Sequence, residues 1–374
     1  MQRNGWISLC GILALLGCPS PTPQAKPVTG SLRAATEIVA NAREIAGPQG
    51  VRALETVEIG GIPQWISVRG RDRRNPLLLF LHGGPGYPMM PASYSFQAPW
   101  EEYFTVVQWD QRGAGKTYVA NDPATIAPTL TPARMIADAE EMVQVLRQRY
   151  GKDKIILLGH SWGTVLGVEL AKRHPGWFYA YVGVGQTVDT PESERLAYLA
   201  LLDTASRAGN AQALAELRGI APYPEANGAI LSAKLKVQRK WQTFYGGYVF
   251  GKADDHYADI VKLSPDYTEL ELQAFGAGIS FSFDRLLPQI SSTSFREVRE
   301  LNCPVVLFHG RHDLTSATTL AHAWFDALRA PKKKFIWFDR SAHLIFTEEP
   351  GKVFHHLVDD VLPLASEGDE ASKN

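Results

Sequence analysis

From residue 51 onward, short runs rich in apolar, β-branched and aromatic residues alternate with stretches whose apolar positions recur at helical spacing. The runs at 77–81, 105–109, 155–158, 181–184, 305–308 and 334–338 are apolar at nearly every position. Strands buried on both faces have this pattern, whereas half-solvated strands alternate apolar with polar. Residues 57–68 read as a hairpin turning at Gly60-Gly61. Residues 132–149 carry Ala, Met and Val at helical spacing, and 162–173 form a second helical pattern that stops before His174-Pro175. Strand and helix in alternation predict the α/β class, a mostly parallel central sheet with helices on both faces.

Between residues 187 and 292 the alternation stops and the chain becomes helical and aromatic. This predicts a helical cap inserted into the core, so that 51–186 and 293–374 form one α/β unit interrupted by 187–292. Most of the cap aromatics are expected to pack against one another, and a minority to line a pocket. Trp241, Phe244, Tyr245 and Phe281 are the candidates for that lining.

Composition agrees with a folded protein: 374 residues, 45% hydrophobic, 21% charged and a formal net charge of −1. Basic and acidic residues are interspersed, so the chain offers no field for a phosphate backbone, and nucleic acid is not an expected partner. The first residues differ. Arg3 precedes a short apolar run at 7–16, too short to span a bilayer, and Leu15-Leu16-Gly17-Cys18 follows. The tetrapeptide resembles a bacterial lipobox. Residues 1–17 are then a signal peptide, Cys18 a lipidated first mature residue, and 18–50 a tether and N-terminal segment whose start is rich in Pro, Ser and Thr. The alternative is an ordinary cleaved signal with an incidental cysteine. Lipidation predicts an exported protein anchored on the periplasmic or extracellular side of a bacterial envelope. Of the three cysteines, Cys10 lies in the signal and Cys303 opens an apolar strand, so no disulfide pair remains in the mature domain.

The chemistry is carried by Gly159-His160-Ser161-Trp162-Gly163, which stands between a predicted strand and a predicted helix. A sharp strand-to-helix turn lifts a serine hydroxyl clear of a sheet, and glycines on either side permit close backbone approach. A serine hydroxyl needs a base, and the base an orienting acid. Asp313 follows the run 305–308 and His343 follows 334–338, so both sit on loops at the sheet edge that carries Ser161, in the order Ser, Asp, His. The Gly-rich turn His82-Gly83-Gly84-Pro85-Gly86 follows the run 77–81. The backbone N–H groups of Gly84 and Trp162 are the expected oxyanion donors, with Gly83 and Gly86 serving conformation and His82 holding the loop.

Other placements compete. Asp339 also follows a strand and is an alternative acid. His309 and His312 with Asp313 suggest metal ligands, but no second ligand cluster completes a site, and neither metal nor organic cofactor is expected. His355 and His356 belong to a C-terminal helix. His160, next to the nucleophile, is expected to point away from it.

At these residues the sequence resembles the proline iminopeptidase-like α/β-hydrolases, peptidase family S33. The resemblance rests on residues 82–86, Trp109-Asp110-Gln111-Arg112-Gly113, 159–164, Gly310-Arg311-His312-Asp313 and Ser341-Ala342-His343, which span most of the core. It implies an α/β-hydrolase fold, the triad above, and a bracing role for residues 110–113. Members that release N-terminal proline hold the substrate ammonium with cap glutamates. The comparable stretches here, 240–245 and 275–281, contain no carboxylate, which leaves Glu192, Glu194 or Glu269 to reach in. The expectation is a serine hydrolase cleaving an ester or small amide with an apolar acyl or alcohol part. A proline iminopeptidase-type aminopeptidase, releasing proline or another small N-terminal residue from a short peptide, is the alternative, and a non-catalytic binding protein the remote one. The oligomeric state is not legible.

Overall fold

The structure, a computed structural model, describes residues 29–371. Its centre is one eight-stranded sheet: β1 (Val51–Ile59), β2 (Ile62–Gly70), β3 (Leu77–Leu81), β4 (Thr105–Trp109), β5 (Ile155–His160), β6 (Phe178–Val184), β7 (Val305–Gly310) and β8 (Lys333–Phe338). The strand order is β1-β2-β4-β3-β5-β6-β7-β8. Only β2 pairs antiparallel, with β1 and with β4. The β1–β2 hairpin turns at Gly60 and Gly61, both at positive φ, +59° and +74°. A two-residue turn of that hand matches strand twist, and glycine enters it without steric cost.

Burial follows pairing. Edge strand β1 alternates partly buried with exposed positions, whereas β3 to β7 are buried at every position. Two apolar clusters cover the two faces of the sheet. One contains Leu79, Leu157, Leu166 and Leu307, and the other Phe80, Leu158, Phe308 and Phe346. Helix Pro132–Tyr150 begins at the N-cap Thr131, whose hydroxyl accepts the Arg134 N–H at 3.2 Å, and ends at Gly151 in the left-handed region.

The cap is inserted between β6 and β7. Its two ends meet: Thr190 N donates to Thr293 O at 2.9 Å and Phe295 N to Val188 O at 2.7 Å. Helices Thr190–Arg207, Ala211–Gly219, Ser232–Phe244, Tyr257–Lys262 and Glu269–Ile290 lie between. The cap has an apolar cluster of its own, including Tyr198, Leu201, Leu217, Leu235, Trp241 and Leu287. It is fastened to the core by a buried ionic knot. Lys116 Nζ donates to Glu271 Oε2 at 2.7 Å and to Asp266 O at 3.0 Å, and the Tyr267 hydroxyl donates to Asp110. Residues 1–28, which include the expected signal segment and Cys18, lie outside the described residues. No described helix is long and apolar enough to cross a membrane.

Candidate active site

Ser161 occupies the turn between β5 and helix Trp162–Arg173 at φ +52°, ψ −118°. A non-glycine residue in the positive-φ region costs on the order of 1–3 kcal/mol, and such strain persists only where the surroundings over-determine it. Here they do. A Cβ on Gly163 would lie 2.0 Å from Leu81 O, and one on Gly159 would lie 2.4 Å from Gly163 O. Ser161 N donates to Val184 O at 2.9 Å, which ties the turn to the end of β6. Trp162 opens the helix, so its N–H has no intrahelical acceptor and is available to a developing anion.

Asp313 and His343 stand on the loops after β7 and β8. These loops interlock, since a Cβ on Gly310 would lie 1.9 Å from Ala342 O. His343 Nδ1 donates to Asp313 Oδ2 at 2.8 Å, which leaves Nε2 as the basic nitrogen. Asp313 Oδ1 accepts the N–H groups of Thr315 at 2.7 Å and Ser316 at 2.9 Å. Burial alone would raise the Asp313 carboxyl, but the charge and hydrogen bond of His343 outweigh it and hold the group below the usual range. Ser161 and His343 line one cavity together with Gly84.

The Gly84 loop is held from beneath by His82. Its Nδ1 donates to Gly83 O at 2.9 Å and its Nε2 accepts the Gln111 N–H at 3.2 Å, while burial pulls its pKa down to about 4. Residues 110–113 brace this region: Gln111 Nε2 donates to His82 O at 3.2 Å, and Arg112 Nε donates to the buried Asp138 at 2.7 Å.

Several expectations need correcting. His160 does not point away. Its Nε2 donates to His343 O at 3.0 Å, its ring lies 4.8 Å from the His343 ring, and it faces the same cavity as Ser161. None of the four aromatics expected in the pocket lines the cavities at Ser161. Trp241 is buried in the cap cluster and donates Nε1 to Glu216 at 3.0 Å. Phe244 is exposed. Tyr245 fronts a separate cleft beside Gly246 and Leu314. Phe281 turns toward Tyr118, 5.3 Å between ring centroids. The reason is helical phase. On helix Glu269–Ile290 the cavity is lined by Ile279, Phe283, Leu287 and Ile290, and on helix Ser232–Phe244 by Leu235, Arg239 and Thr243. Residues three or four apart share a face, while Phe281, two positions away, faces elsewhere.

Asp339 is exposed and pairs with Arg311 at 2.6 Å, and the carboxylate on His343 Nδ1 is that of Asp313. His309 is buried with Nε2 2.9 Å from Ser316 O, and His312 stacks on Phe250. Among the described residues no group of three or more His, Cys, Asp or Glu could hold a metal ion. Of the three glutamates left to reach in, Glu192 pairs with Arg195 at the surface, Glu269 is exposed, and Glu194 lines the cavity. Glu194 is buried and already satisfied, accepting from the Tyr223 hydroxyl at 2.6 Å and from both Arg239 terminal nitrogens. Sequence reasoning missed Arg239, Asp255, Tyr248 and Phe283, all of which line the cavity.

Residues 76–350 match the alpha/beta hydrolase fold family. A probable aminopeptidase of Bacillus subtilis, YbaC, is 30% identical to this chain over 80% of this chain and 93% of its own length. A proline iminopeptidase of Heyndrickxia coagulans is 25% identical over 73% of this chain and 86% of its own. The crystal structure of a proline iminopeptidase from Mycobacterium smegmatis superimposes with a TM-score of 0.58 at 19% identity, covering 86% of this chain and all of that one, a likeness of fold.

Proposed function

Because this chain belongs to the alpha/beta hydrolase family, among its proline iminopeptidase-like members, we propose that it hydrolyses an ester or small amide through an acyl-enzyme at Ser161. The observation that carries this is the hydrogen-bonded Asp313–His343 pair fronting the same cavity as a serine on a strained strand-to-helix turn. His343 Nε2 takes the Ser161 proton as Oγ attacks the acyl carbon, and the N–H groups of Gly84 and Trp162 receive the oxyanion. Each such donor lowers the barrier by on the order of 3 kcal/mol. His343 then passes the proton to the leaving oxygen or nitrogen. Water, deprotonated by the same nitrogen, releases the acid and restores Ser161. Asp313 keeps the Nδ1 proton in place and stabilises the imidazolium.

The lining of Val165, Ile230, Leu235, Phe283 and Leu287 supports an apolar acyl group. The second reading, an aminopeptidase, is favoured by the likeness to the probable aminopeptidase YbaC. It asks for a carboxylate free to take an ammonium on the acyl side of the substrate, where Glu194 is already paired with Arg239. Purified protein is expected to turn over p-nitrophenyl butyrate and to be labelled at Ser161 by a fluorophosphonate. Strong prolyl-arylamide turnover with negligible esterase activity would reverse the order of the two readings.

For the N-terminus we propose export and lipidation at Cys18, supported by Leu15-Leu16-Gly17-Cys18 behind a short apolar run. Cys18→Ser is expected to move the protein from the membrane fraction to the soluble fraction, and equal fractionation of the two forms would remove the proposal.

A further inference from the structure

Ser161 stands where two lobes of the cavity meet, and the lobes differ in chemistry. The first mixes apolar side chains, Val165, Ile230, Leu235 and Leu287, with the hydroxyls of Thr187, Thr190 and Ser193 and with Glu194. The second, of about 280 Å³, contains Tyr87, Thr243, Tyr248, Asp255 and His343. Gly84, Arg239 and Phe283 border both. His343 lines only the second, and a base that returns its proton to the leaving group must lie on the leaving-group side. The acyl part therefore occupies the first lobe and the leaving group the second.

The charges in the two lobes do not balance alike. Arg239 and Glu194 cancel each other, and Arg239 Nη1 also donates to Gln242 Oε1 at 2.8 Å. Asp255 is half-buried, with Oδ1 accepting the Tyr257 N–H at 3.0 Å, and among the described residues it makes no ion pair. Tyr248 packs 5.6 Å from the His343 ring, and Tyr87 packs 4.7 Å from Tyr257. A carboxylate without a cation, beside tyrosine rings in a partly desolvated lobe, attracts an organic ammonium by charge and by the ring quadrupoles.

We propose that the second lobe selects a leaving group that carries an ammonium, so that the substrate joins an uncharged acyl group to an amino alcohol or a diamine. The proposal rests on the serine-hydrolase reading. The Ser161 Oγ–acyl bond forms and the acyl–oxygen or acyl–nitrogen bond breaks. The cationic alcohol or amine leaves with the proton that His343 took from Ser161, and water completes the hydrolysis.

The test compares butyrylcholine with 3,3-dimethylbutyl butyrate, which share the acyl group and leaving-group shape and differ in the positive charge. The expected kcat/KM ratio is about 10 in favour of the cationic ester, the equivalent of about 1.4 kcal/mol. Asp255→Asn is expected to bring that ratio close to one. A ratio near one in the unaltered protein overturns the proposal and leaves the hydrolase reading intact. Where both esters turn over too slowly to compare, the same ratio comes from the rate at which Ser161 is labelled by methylphosphonothioates bearing thiocholine or 3,3-dimethylbutanethiol. Faster labelling by the thiocholine reagent supports the proposal, and equal labelling overturns it. Absence of fluorophosphonate labelling and of p-nitrophenyl butyrate turnover overturns the hydrolase reading and this proposal with it.

Discussion

At the sheet edge, backbone places the functional groups: Gly159, Gly163 and Gly310 sit where any Cβ would strike a neighbouring carbonyl or peptide unit, and Ser161, Asp313 and His343 follow from those turns. In the cap, side chains do the placing. Helix phase decides which residues of Ser232–Phe244 and Glu269–Ile290 meet the substrate, and a buried ion pair, Glu194 with Arg239, decides what charge it meets. Backbone geometry of this kind tolerates few sequences, while a helix face can be redrawn by single substitutions. The core should therefore carry the reaction and the cap the choice of substrate.

The largest effect that separates the two regions is on the chemical step. Ser161→Ala is expected to lower kcat for p-nitrophenyl butyrate by about 10⁶-fold, as loss of a triad nucleophile does elsewhere. The melting temperature should stay nearly unchanged, since the substitution removes one hydroxyl and keeps the turn. A residual rate within tenfold of the unaltered enzyme would show that another group is the nucleophile and that the core does not hold the reaction.

Arg239→Met should do the reverse. It leaves Glu194 buried without its cation, and breaking a buried pair from one side costs about 3–5 kcal/mol. The lower end, about 3 kcal/mol, is expected because the Arg239 side chain keeps 30% of its surface open to solvent. Denaturant unfolding should report that loss, while Ser161 is still labelled. The freed Glu194 should also raise the ratio of prolyl-arylamide to ester turnover. The double variant Glu194→Gln with Arg239→Met is expected to recover most of the stability and lose the altered ratio. An unchanged ratio in the single variant would mean that the pair does not set the charge of the acyl lobe.

The same contrast governs what could be read from the chain alone. Turns forced by glycine leave a local signature, so the order Ser161, Asp313, His343 and the loop at residues 82–86 were visible as spacing after apolar runs. The insertion was visible as a break in alternation. The pocket was not, because aromatic content does not report helix phase. Trp241 and Phe281 lie within two residues of the lining positions Arg239, Thr243, Ile279 and Phe283, yet they face other partners. The Glu194–Arg239 pair spans 45 residues and joins two helices, so no local pattern announces it. His160 failed for a similar reason: its direction is set by the His343 carbonyl, which comes from a loop 183 residues away.

A pH series probes the core specifically. Burial lowers His82 to about 4, and burial together with the His343 charge lowers His160 to about 3, both from 6.5. Their stabilising contribution is complete above pH 6.5 and is lost as pH falls, because the unfolded chain takes two protons that the folded core refuses. Burial raises Asp110 from 3.8 to about 7, which acts in the opposite sense by one proton over the same window. Asp313, held low, adds stability that is fully present above 3.8 and is lost only as pH falls below that value. Buried His309, lowered from 6.5 as well, acts with the two histidines, and Asp255 and Glu348, raised by burial, act with Asp110. Each proton refused by a buried histidine steepens the fall of unfolding free energy on acidification by about 1.4 kcal/mol per pH unit between pH 6.5 and 4.5. An equally steep fall in a variant with both His82 and His160 replaced by Asn would show that the two histidines are not kept neutral.

The smallest effects test the cap face directly. Phe283 borders both lobes at Ser161, and its removal opens the cavity wall there. Pocket contacts of this size contribute about 1–3 kcal/mol to discrimination, so Phe283→Ala is expected to cost about tenfold in kcat/KM for p-nitrophenyl butyrate. Phe244 lies on a neighbouring cap helix, is 52% exposed, and contacts the Trp241 and Tyr245 rings at 5.3 and 5.0 Å instead of the cavity. Phe244→Ala should leave kcat/KM within twofold and stability within about 0.5 kcal/mol, the range of an exposed surface change. Both variants remove the same ring, so volume and hydrophobicity cancel between them and only the direction of the side chain differs. If Phe244→Ala proved the more damaging to kcat/KM, the cap would present its other face to the substrate, and the assignment of the two lobes would have to be exchanged for one built on the Trp241 side.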